Sequence, residues 1–185
     1  MFKSTDHRWR GKLFALMITW LLVFGNNSAV ADATESSAVT AALALNFARF
    51  TEWPTQALGT NDMTVKLCVI GDNVIQQAFD EIDQKQIGTR TLQVVHLTRI
   101  KNLEQCHLLY ISGGDRGTTI QLLSEIRKQH TLTIGEDRHF LQDGGMVLLN
   151  FVEGKVNIEI QLSVVKQAGL QINSRVLKLA TIVNP

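Results

Sequence analysis

The chain has 185 residues, 45% of them hydrophobic, with 18 Lys+Arg against 17 Asp+Glu for a formal net charge of +1. That length suits one globular domain and leaves little room for two. The balance excludes a disordered chain and a strongly basic nucleic-acid binder, and two cysteines exclude a disulfide-dense mini-domain and a four-cysteine zinc site.

Residues 1–31 read as a secretory signal. Lys3, Arg8, Arg10 and Lys12 make a basic start. Leu13 to Phe24 is apolar apart from Thr19, and it is short of the roughly 20 residues that a membrane span needs. Gly25 to Ser28 breaks the run. Ala29-Val30-Ala31 then supplies a small-x-small cleavage pattern, so the cut is expected after Ala31. An uncleaved N-terminal anchor is the alternative, and the polar stretch that begins at Asp32 argues against it. No cysteine lies near the cut, which argues against a lipoprotein anchor. Removing the signal takes away four basic residues and one acidic residue. A mature domain of 154 residues remains, 32–185, with 14 Lys+Arg, 16 Asp+Glu and a net charge of −2. Such a chain has no electrostatic pull toward DNA or an anionic membrane face.

Ser37 to Phe50 is rich in helix formers and apolar almost all round, which predicts a helix buried on more than one side, by the fold or by a second subunit. Trp53-Pro54 ends it. Val65 to Ile70 predicts a strand. Asp72 or Asn73 can cap a helix to about Ile82. Leu92 to Leu97 and His107 to Ile111 predict two more strands. A helix then runs to about Lys128 with Ile120, Leu123 and Ile126 on one face. Thr131 to Ile134 is a fourth strand. This strand–helix alternation is the pattern of a parallel α/β sheet.

The tail departs from that rhythm. Met146 to Phe151 and Lys155 to Leu162 flank a hairpin-like link, Val152-Glu153-Gly154. In the second run Val156, Ile158, Ile160 and Leu162 face one way, and Asn157, Glu159 and Gln161 the other, as in a half-exposed antiparallel strand. Val164 to Ala168 reads as a short helix stopped by Gly169. Ser174 can cap a last helix through Ala180. The expected architecture is a single α/β domain. Its sheet is mixed and mostly parallel, with helices on both faces and a C-terminal antiparallel hairpin.

Export places Cys68 and Cys106 in an oxidising compartment. Each lies in or beside a predicted strand, so a bridge between neighbouring strands is expected. The rival, a redox-active pair, lacks the usual C-x-x-C. Gly113-Gly114-Asp115-Arg116-Gly117 sits between a strand and a helix, where phosphate-binding loops sit, and Arg116 could hold an anion. It carries no full phosphate-loop or dinucleotide motif, so a turn with a helix cap is the plainer reading. Gly144-Gly145 reads as a tight turn or as a backbone-lined binding edge. Phe47, Phe50, Trp53 and Pro54 form an aromatic cluster, either core packing or an anchor for a partner or dimer interface. Asp72, Glu136 and Asp137 follow strands, where α/β proteins place ligands, and suit helix caps equally. His96, His107, His130 and His139 show no zinc spacing, so neither a metal nor a cofactor is expected. Ser, His and Asp occur without a nucleophile elbow, so hydrolysis has little behind it.

Six segments carry a resemblance: N-F-A-R-F-T-E-W-P at 46–54, L-C-V-I-G at 67–71, C-H-L-L-Y-I at 106–111, D-G-G-M at 143–146, V-N-I-E-I at 156–160 and A-G-L-Q-I-N-S-R-V-L-K-L-A at 168–180. In this order they resemble the YfiR family of bacterial periplasmic proteins, from about Val39 to Ala180. The resemblance implies regulation rather than catalysis. The implied partner is the periplasmic sensor region of an inner-membrane diguanylate cyclase, or a related sensor protein, whose cyclic-di-GMP output falls on binding. An outer-membrane lipoprotein that sequesters the repressor is implied as well. Dimers are common in the family, and the motif positions of Cys68 and Cys106 match a family disulfide. The chain departs from the pattern at 146–152, where a second family cysteine pair has no counterpart. The alternative to repression is a periplasmic small-molecule sensor. Its pocket would lie at the strand ends near Gly71, Ser112 to Gly114 and Gly135.

Overall fold

A computed structural model describes residues 28–58, 63–98, 101–152 and 154–184, with side chains from Thr34 onward. The chain opens on helix α1 (Ser28–Phe50), followed by β1 (Thr51–Glu52) and the single turn α2 (Thr55–Leu58). Next come β2 (Thr64–Ile70), α3 (Asn73–Asp80), β3 (Gln86–Ile87) and β4 (Arg90–His96). A 3₁₀ turn (Leu103–Gln105) leads into β5 (Leu108–Ile111), α4 (Arg116–Ile126) and β6 (Leu132–Gly135). The C-terminal part holds β7 (Val147–Val152), β8 (Lys155–Gln161), α5 (Leu162–Gln167), β9 (Gln171–Ile172), α6 (Ser174–Leu177) and β10 (Thr181–Val183).

Eight strands form one sheet in the order β10-β8-β7-β6-β5-β2-β4-β3. The five central strands β4, β2, β5, β6 and β7 run parallel, in the 2-1-3-4-5 order of a doubly wound sheet. β8 returns antiparallel on β7, with Val147 opposite Ile160 and Val152 opposite Lys155. The expected mixed sheet with its late hairpin is therefore present. The link residue Glu153 lies outside the described residues.

Period-two alternation divides the sheet's side chains between two cores. Val65, Leu67 and Val69 of β2 and Leu108 and Tyr110 of β5 join α1 and α3 on one face. Cys68, Leu109 and Ile111 join α4 and the segment around Phe140 on the other. Helices cover both faces because each face of a central parallel strand is apolar. Asp72 caps α3 by accepting from the Ile75 N–H at 3.0 Å.

Four expectations need correction. First, α1 begins at Ser28, not Ser37. Residues 28–36 contain neither Gly nor Pro, so nothing in them stops a helix. The expected cut after Ala31 falls in its first turn, and the rest of the proposed signal lies outside the described residues. Second, α1 is buried along one broad face, through Thr40, Ala41, Ala44, Phe47 and Ala48. Ala38, Val39, Ala42, Asn46 and Arg49 are exposed. The fold of one chain thus covers only that face of the apolar pattern. Third, Ile120 is exposed, and α4 packs through Thr119, Leu122, Leu123 and Ile126. Fourth, the last helix stops at Leu177, with Asn173 rather than Ser174 as its cap, and 181–183 is a strand. β10 pairs in parallel with the free edge of β8, Ile182 beside Ile160, and that edge overrides the helical pattern. In β8 itself Gln161 is buried despite its place on the polar face.

Candidate functional site

Doubly wound sheets bind ligands beyond the C-terminal ends of their strands, at the point where strand order reverses. Here that point lies between β2 and β5. Gly71 follows β2, and a Cβ there would collide with Ile75 of α3. Ser112 follows β5 and donates to Glu136 Oε2 at 3.0 Å. Thr40 of α1 donates to Glu136 Oε1 at 3.2 Å. Glu136 is thus no helix cap. It ties α1 to the end of β5 and spans the crevice with side chains. Next to it the Tyr110 ring packs on Phe79 with centroids 4.6 Å apart, and its hydroxyl is buried. Burial first, and the Glu136 charge second, push the Tyr110 pKa far above its ordinary value, so the phenol stays neutral.

The glycine-rich loop is a turn joined to a cap. Gly113 and Gly114 take φ of +71° and +84°, a region that costs glycine little. Asp115 then caps α4, accepting from the Thr118 N–H at 3.0 Å and the Thr118 hydroxyl at 2.7 Å. Arg116 is already engaged. Its Nε and Nη2 reach Asp143 Oδ2 and Oδ1 at 2.8 and 2.6 Å, a bidentate pair across the β5–α4 and β6–β7 connections. The space beside it is about 60 Å³, lined by Gly113, Gly114, Arg116, Thr119, Asp137 and Asp143. That is room for roughly two waters, beside a guanidinium whose charge is already matched.

The pair has a pH signature. The Arg116 hydrogen bonds outweigh the opposing effect of burial and hold the Asp143 pKa below its ordinary value, with the Arg116 and His139 charges helping. A carboxylate depressed on folding adds stability above its unfolded pKa of about 3.9 and loses it as pH falls through the folded value. Arg116→Ala is therefore expected to lower the thermal midpoint slightly at pH 6 and progressively less below pH ~4. Unfolding curves of the two chains across that range check it. A deficit that persists undiminished at pH 2 would show that the pair is not its source.

The aromatic cluster is divided. Phe47 is 1% exposed and belongs to the core, while Phe50 and Trp53 are half-buried against it. Trp53 Nε1 donates to the His107 carbonyl at 3.2 Å, and the two rings meet edge to face. His107 Nδ1 accepts the Lys66 N–H at 2.9 Å, so Nε2 carries the hydrogen toward the Ala57 carbonyl at 3.1 Å. That histidine fastens the 53–58 segment to the starts of β2 and β5. Pro54 is half-buried and neighbours Gly169. Among the described residues no three His, Cys, Asp or Glu side chains gather as a metal would need.

Cys68 and Cys106 are joined by a disulfide with Cα atoms 5.7 Å apart. Both are buried, at 3% and 4% exposure. The bridge ties the middle of β2 to the residue after the 3₁₀ turn that precedes β5.

Gly144 and Gly145 serve different ends. Gly145 leaves room for the Phe140 ring, and its N–H donates to the Phe140 carbonyl at 2.8 Å. Gly144, at φ +100°, lines a cavity of about 220 Å³ with Arg127, Thr133, Met146, Val164 and Gln167 among its walls. The binding-edge reading of this loop names Gly144 and misses Arg127, Thr133 and Gln167. No spacing rule links them, because α4, β6 and α5 meet only in the folded chain.

No curated relative matches the chain. Among the described residues no helix is long and apolar enough to cross a membrane. A family model described as YfiR/HmsC-like matches residues 37–181, from the buried half of α1 to the start of β10. The chain belongs to the YfiR/HmsC-like family.

Proposed function

We propose that this chain is an exported regulator that binds the periplasmic sensor region of an inner-membrane diguanylate cyclase and holds that enzyme in its inactive state. The family match across residues 37–181 carries the reading. The buried Cys68–Cys106 bridge supports export, since such bridges persist in oxidising compartments. In this reading residues 1–31 are removed after Ala31, the mature domain is 32–185, and the chain regulates rather than catalyses. Repression requires the regulator to bind the inactive state better than the active one, because differential affinity alone shifts an equilibrium. An outer-membrane lipoprotein that sequesters the regulator would relieve it. The regulator acts as a homodimer, with the exposed parts of Phe50, Trp53 and Pro54 as a candidate contact.

Deleting the gene is expected to raise cellular cyclic-di-GMP, and restoring the chain to lower it again. Tagged mature protein should capture a membrane cyclase from native membranes. Unchanged cyclic-di-GMP under several growth conditions, with no cyclase captured by folded bait, would sink the reading. A second reading, a small-molecule sensor, is favoured by one observation, the cavity between α4 and α5.

A further inference from the structure

The cavity lies on the α4 face of the sheet, between the end of α4, the start of β7 and α5. Its volume of about 220 Å³ equals roughly seven waters at ~30 Å³ each. Ile126, Met146 and Val164 give it apolar walls. Its polar lining side chains are Arg127, Thr133 and Gln167.

The hydrogen-bond accounts of these groups point one way. Thr133 is 2% exposed, and its Oγ1 accepts the Met146 N–H at 3.0 Å. A hydroxyl both accepts and donates, and among the described residues this one has no acceptor for its own hydrogen. A buried donor left unmade is costly. Arg127 is exposed at the mouth and forms no ion pair among the described residues. Its guanidinium lies over Gly144, where a Cβ would stand 3.6 Å from Nη2. A guanidinium only donates, and the Gln167 amide can do so. The site therefore offers spare donors, one of them a full positive charge, beside apolar walls. The C-terminal end of α4 opposes an anion with about half a negative charge, which the guanidinium more than offsets.

We propose that this cavity binds a small carboxylic acid with a short apolar body, its carboxylate on Arg127 and the Thr133 hydroxyl and its body against Ile126, Met146 and Val164. The site goes beyond the regulatory reading and is measured without any cyclase.

The probes are 4-methylpentanoate and phenylacetate, with the matching alcohols as neutral controls, titrated into the mature chain near pH 7. The mature chain holds two methionines, Met63 and Met146. Met63 is exposed and outside the cavity, so the two methyl resonances separate binding at the site from binding elsewhere. At least one acid is expected to move the Met146 signal and to bind roughly tenfold or more tighter than its alcohol, as loss of a charged hydrogen bond implies. Arg127→Gln, an exposed substitution, should erase that preference while the alcohol's affinity holds. Silence of the Met146 signal with both acids at millimolar concentration overturns the proposal, as does equal affinity of Arg127→Gln and the native chain for the acid. Failure here leaves the cyclic-di-GMP result untouched, and the reverse holds too.

Discussion

Replacing Cys68 and Cys106 together with Ala is expected to lower the unfolding free energy by about 4 kcal/mol. The bridge closes a loop of 38 residues of sequence separation. In the chain-entropy account such a cross-link acts mainly on the unfolded chain, by removing conformations that the open chain would regain. The loop encloses α3, β3 and β4, and in the sheet β4 and β3 reach β5 only through β2, while α3 meets β5 directly where Phe79 packs on Tyr110. A loss of that size is a large part of the roughly 5–15 kcal/mol that holds a typical domain together. Denaturant unfolding of the double variant beside the native chain gives the number. A loss under about 1 kcal/mol would mean that the unfolded chain keeps these strands together without the bridge. Burial of both sulfurs adds a kinetic expectation. Reductant should act on opened molecules only, so reduction of the native protein should follow the rate of local opening.

Local pattern makes some of the fold legible and long-range partners hide the rest. β8 is readable because one of its faces meets the core and Val156, Ile158 and Ile160 fall on that face. β5 is readable as a short apolar run ahead of a glycine turn. β10 is not, since Thr181-Ile182-Val183 follows a helical stretch and becomes a strand only beside the edge of β8. The register of α4 misleads because Ile120 and Leu123 share a face with Ile126 on paper, while the sheet meets the helix one step away, at Thr119 and Leu122. The candidate site divides in the same way. Cys68 and Cys106 can be paired from the sequence because each lies in or beside a predicted strand and the N-terminal pattern leads one to expect export. Arg116 looks free in sequence because its partner Asp143 is 27 residues away. Glu136 looks like a cap because Thr40, 96 residues distant, carries no local mark. Arg127, Thr133 and Gln167 are silent in sequence for the same reason.

Phe140→Ala is expected to cost about 3–5 kcal/mol, the range for emptying a buried phenylalanine site. The residue is 1% exposed and sits in a stretch without helix or strand, between β6 and β7. Its backbone is held at both ends, N–H to the Asp137 carbonyl and carbonyl from the Gly145 N–H, each 2.8 Å. Its ring lies between Gly135 and Gly145, and a Cβ on either would run into it. Neither glycine has a positive φ, so space rather than backbone freedom demands them. Gly145→Ala is therefore expected to destabilise by roughly 1–3 kcal/mol through overpacking. The two changes should not add. Combined with Phe140→Leu, the Gly145→Ala methyl occupies room that the ring has left, so the pair should lose at least ~0.5 kcal/mol less than the single changes summed. Strict additivity in that cycle would mean that the ring and the glycine do not meet. The anchor bears on both neighbouring sites, because the same short stretch presents Asp143 to Arg116 and Gly144 to Arg127. A ring fitted between two glycines is thus what lets an irregular segment hold a charge pair on one side and a cavity wall on the other.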